Sequence, residues 1–229
     1  MDEIPESWPT MRKAIEFNRR GFADLPKLFG CNLAGLKELD WVELAIALHP
    51  RIETLVPDER RVYHKVPDDV ALFLAGAAQT HRDAYDMLVA IAQRNIVNSA
   101  PIPVDFQHVV FKILEGDFPV PTKRGARPSP EFAQKWVLRE SALFTRDLFD
   151  LPLSRNEAKC DDESACDAVV IGAEQLGFAV KYNAVRDYCI HKDYAGFRER
   201  ADHLTNFVKN LFLLQTGVIK DWRKGHLFL

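Results

Sequence analysis

The sequence predicts an all-α protein of two helical halves joined by a proline-rich basic linker, with a helix-turn-helix in the C-terminal half. Three observations carry that expectation. Apolar residues recur every three or four positions along most of the chain, and two-residue alternation is nearly absent. Glycine and proline fall where helices of ordinary length should stop. The stretch 118–130 holds four prolines, one glycine and three basic residues, which leaves no room for packed periodic structure. The expected organisation is a helical domain over 1–117, a linker over 118–130 and a second helical domain over 131–229.

A chain of 229 residues, 47% hydrophobic and 28% charged, has the composition of a folded protein with a true core. Its net charge of −3 excludes wholesale attraction to polyanions but permits a local basic face. The acidic start Met1-Asp2-Glu3-Ile4-Pro5-Glu6 is unlike a secretory signal. The apolar stretch Val70 to Ala78 is far short of the roughly 20 residues of a membrane span. Cys31, Cys160, Cys166 and Cys189 sit at irregular spacing, which favours reduced thiols and a cytoplasmic location.

Met11 to Arg20 reads as a short helix closed by Gly21. Asn32 is placed to cap a second helix through Leu48, with Leu33, Leu36, Leu39, Trp41, Leu44 and Leu48 inward, and His49-Pro50 ends it. Val56 to Pro67 reads as a proline-marked connection. From Asp68 to Asn98 the pattern is one long helix, or two with a bend near Gly76. Its stripe is Leu74, Ala77, Ala78, His81, Tyr85, Leu88 and Ala92. Val104 to Glu115 forms a further helix stopped by Gly116. Ser129-Pro130-Glu131 combines a capping residue, a first-turn proline and a carboxylate suited to the dipole, so a helix should run from there to about Phe149. Three more helices are expected near Asp162–Leu176, Asn183–Lys192 and Tyr194–Leu214.

The helices at 162–176 and 183–192, joined across Gly177, are the candidate helix-turn-helix. Cys166, Val169, Val170, Ala173 and Leu176 would face inward from the first, and Val185, Tyr188 and Cys189 from the second. Asn183 and Arg186 would point outward, and these residue types match adenine and guanine edges. Lys181 and Lys192 would hold phosphates. Against this, seven Lys/Arg face nine Asp/Glu between Arg155 and Arg200, and the turn is longer than usual. The segment Lys123-Arg124-Gly125-Ala126-Arg127-Pro128 resembles the AT-hook, with Ala126 inserted into its Gly-Arg-Pro core. The resemblance implies that Lys123, Arg124 and Arg127 lie along a minor groove.

The run from Lys123-Arg124-Gly125 through Ser154-Arg155-Asn156-Glu157-Ala158 to Ser164-Ala165-Cys166-Asp167-Ala168-Val169 resembles bacterial and phage-type reading frames of unassigned function. That likeness implies a bacterial, phage or mobile-element origin and brings no activity with it. Separately, Arg186-Asp187-Tyr188-Cys189-Ile190-His191 resembles the Arg-to-His motif of the all-helical HEPN ribonucleases. There His191 would move protons and Arg186 would stabilise phosphate charge. The same spacing recurs at Arg198 to His203, so the pattern has low specificity.

Cys160, Cys166, Cys189 and His191 match no structural zinc spacing, and no cofactor or metal is expected. Along the last helix Phe197, Ala201, Leu204, Val208 and Leu211 form one apolar face that Phe207 and Phe212 broaden. With Trp222 beyond it, Phe207, Leu211 and Phe212 make a candidate interface for a second copy or a protein partner. The leading functional reading is a binding protein with DNA as ligand. The alternatives are an adaptor or inhibitor that binds protein, and a HEPN-like ribonuclease, on which alone any enzymatic activity would rest.

Overall fold

The computed structural model describes residues 4–58, 61–121, 131–155 and 163–215, the last six by their backbone alone. Helices make up 66% of it, so the fold is predominantly helical. It is not purely all-α, because a two-stranded antiparallel sheet interrupts the helices. Among the described residues no helix is long and apolar enough to cross a membrane.

By compactness the chain divides into two units, each built from two separate stretches. The first unit takes residues 1–40 and 126–201, and the second takes 41–125 and 202–229. One unit boundary, between residues 125 and 126, falls inside the stretch 118–130 read as a linker. Neither unit is continuous in sequence.

The first unit begins with α1 (Thr10–Phe29), which runs straight through Gly21 and ends at Gly30, whose φ of 70° suits a residue without Cβ. Gly21 was expected to stop this helix. It lies exposed on the helix surface and meets no neighbour, so nothing there forces an end. Ala14, Asn18, Phe22 and Leu25 form the buried face of α1. A short 3-10 turn follows at Gly35–Glu38, with Asn32 Oδ1 accepting from the Gly35 N–H at 3.0 Å. Asn32 therefore caps that turn rather than a long helix to Leu48, and the chain is extended at Leu39.

The rest of this unit is α6 (Phe132–Phe149), α7 (Ala165–Glu174), α8 (Tyr182–Ile190) and the start of α9 (Ala195–Gln215). Ala165, Ala168 and Gly172 step by three and four residues along α7 and let α1 come close. A Cβ on Gly172 would lie 3.0 Å from the Arg19 nitrogen, 3.0 Å from Asn18 Cβ and 3.1 Å from the Ile15 oxygen. Ala14, Leu151, Ala165 and Ala168 pack together there, with Met11, Ile15 and Phe149 around them. Asn18 crosses to α6, donating to Thr145 Oγ1 at 2.9 Å and to the Ala14 carbonyl at 2.8 Å.

The second unit holds α2 (Trp41–Leu48), β1 (Glu53–Asp58), β2 (Arg61–Lys65), α3 (Asp68–Ala77), α4 (Arg82–Val97), α5 (Val104–Glu115) and α9 from Asp202 on. His49-Pro50 ends α2 as expected, and α3 and α4 are two helices rather than one. The hairpin falls where a connection was expected. Its register pairs Glu53 with Lys65, Thr54 with His64 and Leu55 with Tyr63, then shifts before Asp58 pairs with Arg61. Pro57 lies in the shifted stretch, where a residue without N–H does least damage.

The outer side of β2 is completed by amides from the end of α4. Asn95 Oδ1 accepts from the His64 N–H at 2.8 Å, and Asn95 Nδ2 donates to the His64 carbonyl at 2.8 Å, much as a third strand would. Asn98 Nδ2 does the same for the Val62 carbonyl at 2.9 Å. Trp41, Leu44, Leu74, Met87, Leu88, Ile91, Phe106, Leu204 and Phe207 are buried in this unit.

His49 and His64 are buried there as well. The Arg51 N–H donates to His49 Nδ1 at 3.2 Å, and Thr54 Oγ1 lies 3.1 Å from His64 Nδ1. Burial, helped by the charge of Arg51 in one case and Arg94 in the other, pushes each imidazole from 6.5 down to about 4.

Two outcomes follow from these packings. Gly172→Leu destabilises the first unit by about 1–3 kcal/mol through overpacking, while Gly21→Ala stabilises it by about 0.5–1 kcal/mol through lower backbone entropy. Urea unfolding of both variants checks this, and equal midpoints would refute it. The histidines bind protons on unfolding between pH 6.5 and 4, because the unfolded rings titrate at the higher value. Stability is therefore full above about 6.5 and falls as pH drops toward 4, by on the order of 2 kcal/mol per ring. Replacing both rings with Gln should flatten that slope in urea titrations at pH 7 and pH 5.

Candidate nucleic-acid interface

Ser164 starts α7. Its Oγ accepts from the Asp167 N–H at 3.2 Å and donates to Asp167 Oδ2 at 2.5 Å. Asp167 is 2% exposed and would be costly to bury as a lone charge. Arg155 supplies the counter-charge, its Nε 2.9 Å from Asp167 Oδ1 and its Nη2 also bonded to that oxygen. The same guanidinium lies 4.3 Å over the Tyr182 ring, and the Arg155 N–H donates to Tyr182 Oη at 2.7 Å. Arg155 thus ties the segment before α7 to the first residue of α8.

From Ala165 to Val170, and again at Gly172 and Ala173, α7 is buried. The turn 175–181 follows, with Gly177 at a φ of 82° that a side chain would strain. Helix α8 then presents Val185 and Cys189 to the interior. Lys181, Asn183, Ile190 and Lys192 are exposed.

The outward set expected from sequence is therefore present except at Arg186. That side chain is 29% exposed and bonds Asp187 Oδ1 through Nε at 3.2 Å and Nη2 at 3.0 Å. Lys123, Arg124, Arg127 and Trp222 lie outside the described residues, and of Leu211 and Phe212 only the backbone is described. Phe207, expected at an interface, is 2% exposed and lies 6.3 Å from the His49 ring, so it belongs to the core of the second unit. Phe197, Ala201 and Leu204 of the same helix are buried as well.

In the Arg186–His191 pair the two side chains have separate roles in the local structure. Arg186 is held by Asp187, while His191 Nδ1 accepts from the Asp193 N–H at 3.3 Å and caps the 3-10 turn Lys192–Tyr194. In the second pair, His203 faces Asp83 at 3.7 Å and stacks on Trp41 with centroids 6.4 Å apart. Among the described residues no three His, Cys, Asp or Glu side chains gather as a metal site.

One feature escaped the sequence reading. The Arg155–Asp167–Tyr182 connection joins residues far apart in sequence, and no periodic pattern marks it. Cys166 and Cys189, each readable as a small apolar residue, are both buried on the neighbouring helices α7 and α8. Compared with known proteins, the chain matches no family model, no curated protein and no solved structure.

Proposed function

We propose that the protein acts by binding, with duplex DNA as the ligand and α8 as the contacting helix. The observation that carries this reading is the contrast between the paired helices. Helix α7 is buried along most of its length, whereas α8 exposes Lys181 and Asn183 at its start and is followed by exposed Lys192. A helix held from behind by its neighbour, with polar residues at its N-terminal end, is the arrangement that reads a major groove. Lys181 and Lys192 would neutralise phosphates, and Asn183 has the donor and acceptor for an adenine edge. Arg186 would have to exchange Asp187 for a guanine, so it adds less than an open arginine would.

Few phosphate contacts imply weak, salt-sensitive binding. Micromolar affinity at low salt is expected by fluorescence anisotropy, and Lys181→Glu should weaken it about tenfold and lower the salt slope by roughly one. Full affinity in a Lys181→Glu, Asn183→Ala protein would refute the groove geometry.

A second reading, a protein-binding adaptor, is favoured by α5. Its face carries Val104, Phe111 and Leu114 exposed at 66%, 61% and 80%, one stripe at helical spacing. Self-association through that stripe should appear in sedimentation velocity and vanish in Phe111→Asp. Monomers at all concentrations for both proteins would exclude it.

A further inference from the structure

Along α5 the exposed apolar side chains share one face, and that face also carries charge in a definite order. Val104, Phe111 and Leu114 stand out from it, with Gln107 and His108 exposed between them. At about 100° of helix per residue these positions fall within about one third of the circumference. Phe106 and Val109 fill the buried side. Asp105 and Lys112 flank the exposed face along one edge, about 10 Å apart along the axis. Among the described residues neither has an ion-pair partner. Other helices pair such charges internally, as Glu16 does with Arg19 and Arg20 in α1, and Arg82 with Asp86 in α4. Asp105 in the first turn and Lys112 in the last also suit the helix dipole, but the dipole gives no reason for the apolar residues between them.

We propose that this face pairs with the same face of a second copy of the chain, the two α5 helices running antiparallel about a two-fold axis near His108. Charge complementarity selects that occupant. The two-fold sets Asp105 beside Lys112 of the second copy, and Lys112 beside its Asp105. It brings Val104 to within about 1.5 Å, along the axis, of the level of Leu114 of the second copy. Each Phe111 then lies over Gln107 and His108 of the other copy. A parallel pairing would set carboxylate against carboxylate and ammonium against ammonium.

The contact uses the same patch on both copies, so it closes at two and cannot propagate. One helix face on each side is smaller than a standard interface, and the pairing is accordingly weak and reversible. This proposal rests on the reading of α5 as a protein-binding face, to which it adds the partner and the polarity of the pair.

The test exchanges charges in the full chain and follows association by sedimentation velocity at low ionic strength. Asp105→Lys and Lys112→Asp should each weaken the dimer about tenfold, since each turns two attractions into two repulsions. The chain carrying both substitutions should associate as the wild type does. So should an equimolar mixture of the two single variants, in which every facing pair is opposite again. Charges that serve the helix dipole alone would make the doubly exchanged chain the least helical by circular dichroism and the least associated, which overturns the pairing. The wild-type chain gives a second measurement that needs no substitution: its dimer should weaken as salt screens the two ion pairs. Association indifferent to salt and to both single exchanges overturns the antiparallel pair, and loss of that association in Phe111→Asp would leave the α5 interface standing with another geometry. A wild-type chain that stays monomeric removes both the pairing and the reading beneath it.

Discussion

Everything the first unit offers depends on the close approach of α1 and α7 at Gly172. A helix can be buried on nearly all sides only if its neighbours come near enough to leave no gaps. Alanines at 165 and 168 and a glycine at 172 provide that nearness. With α7 fixed, α8 has a firm backing for Val185 and Cys189, and its other side is turned outward. Arg155, partly exposed and bonded to the buried Asp167, then fastens the entry to α7 against Tyr182. Removing Arg155 would leave the buried Asp167 carboxylate without that counter-charge.

The second unit solves a different problem. A two-stranded sheet is marginal alone, and this one borrows side-chain amides to complete an edge. Asn95 satisfies both backbone groups of His64 and also donates to the Pro101 carbonyl at 2.8 Å. One buried side chain therefore holds β2, the end of α4 and the approach to α5 together. Such an amide is fully satisfied, which is the condition under which a buried polar group is tolerated.

Much of the helical framework was legible because glycine and proline bound it. The helix Val104–Glu115 lies between Pro103 and Gly116 and was read without error, and α6 ends at Phe149 as expected. Gly21 misled because a glycine can be tolerated on an exposed helix face at modest cost. The hairpin was hidden by Pro57 and by strands too short to show a period. At the candidate site, the exposure of Lys181 and Asn183 followed from the apolar stripe beneath them. The pairing of Arg186 with Asp187 did not, since adjacent helical residues ordinarily diverge. The Arg155 connection needed three-dimensional packing that local pattern does not encode.

The irregular pairing of β1 has a consequence for how the molecule behaves in a crowd. Among the described residues β1 has a partner on one side only, and its outer edge carries exposed Val56. Such an edge is a template on which another chain's strand could grow into a fibre. Here the register slips after Leu55, Pro57 offers no N–H, and Glu53 and Asp58 place charges at both ends. A strand that cannot keep step with its own partner is a poor seed for a stranger's, so the hairpin guards against runaway assembly by being imperfect.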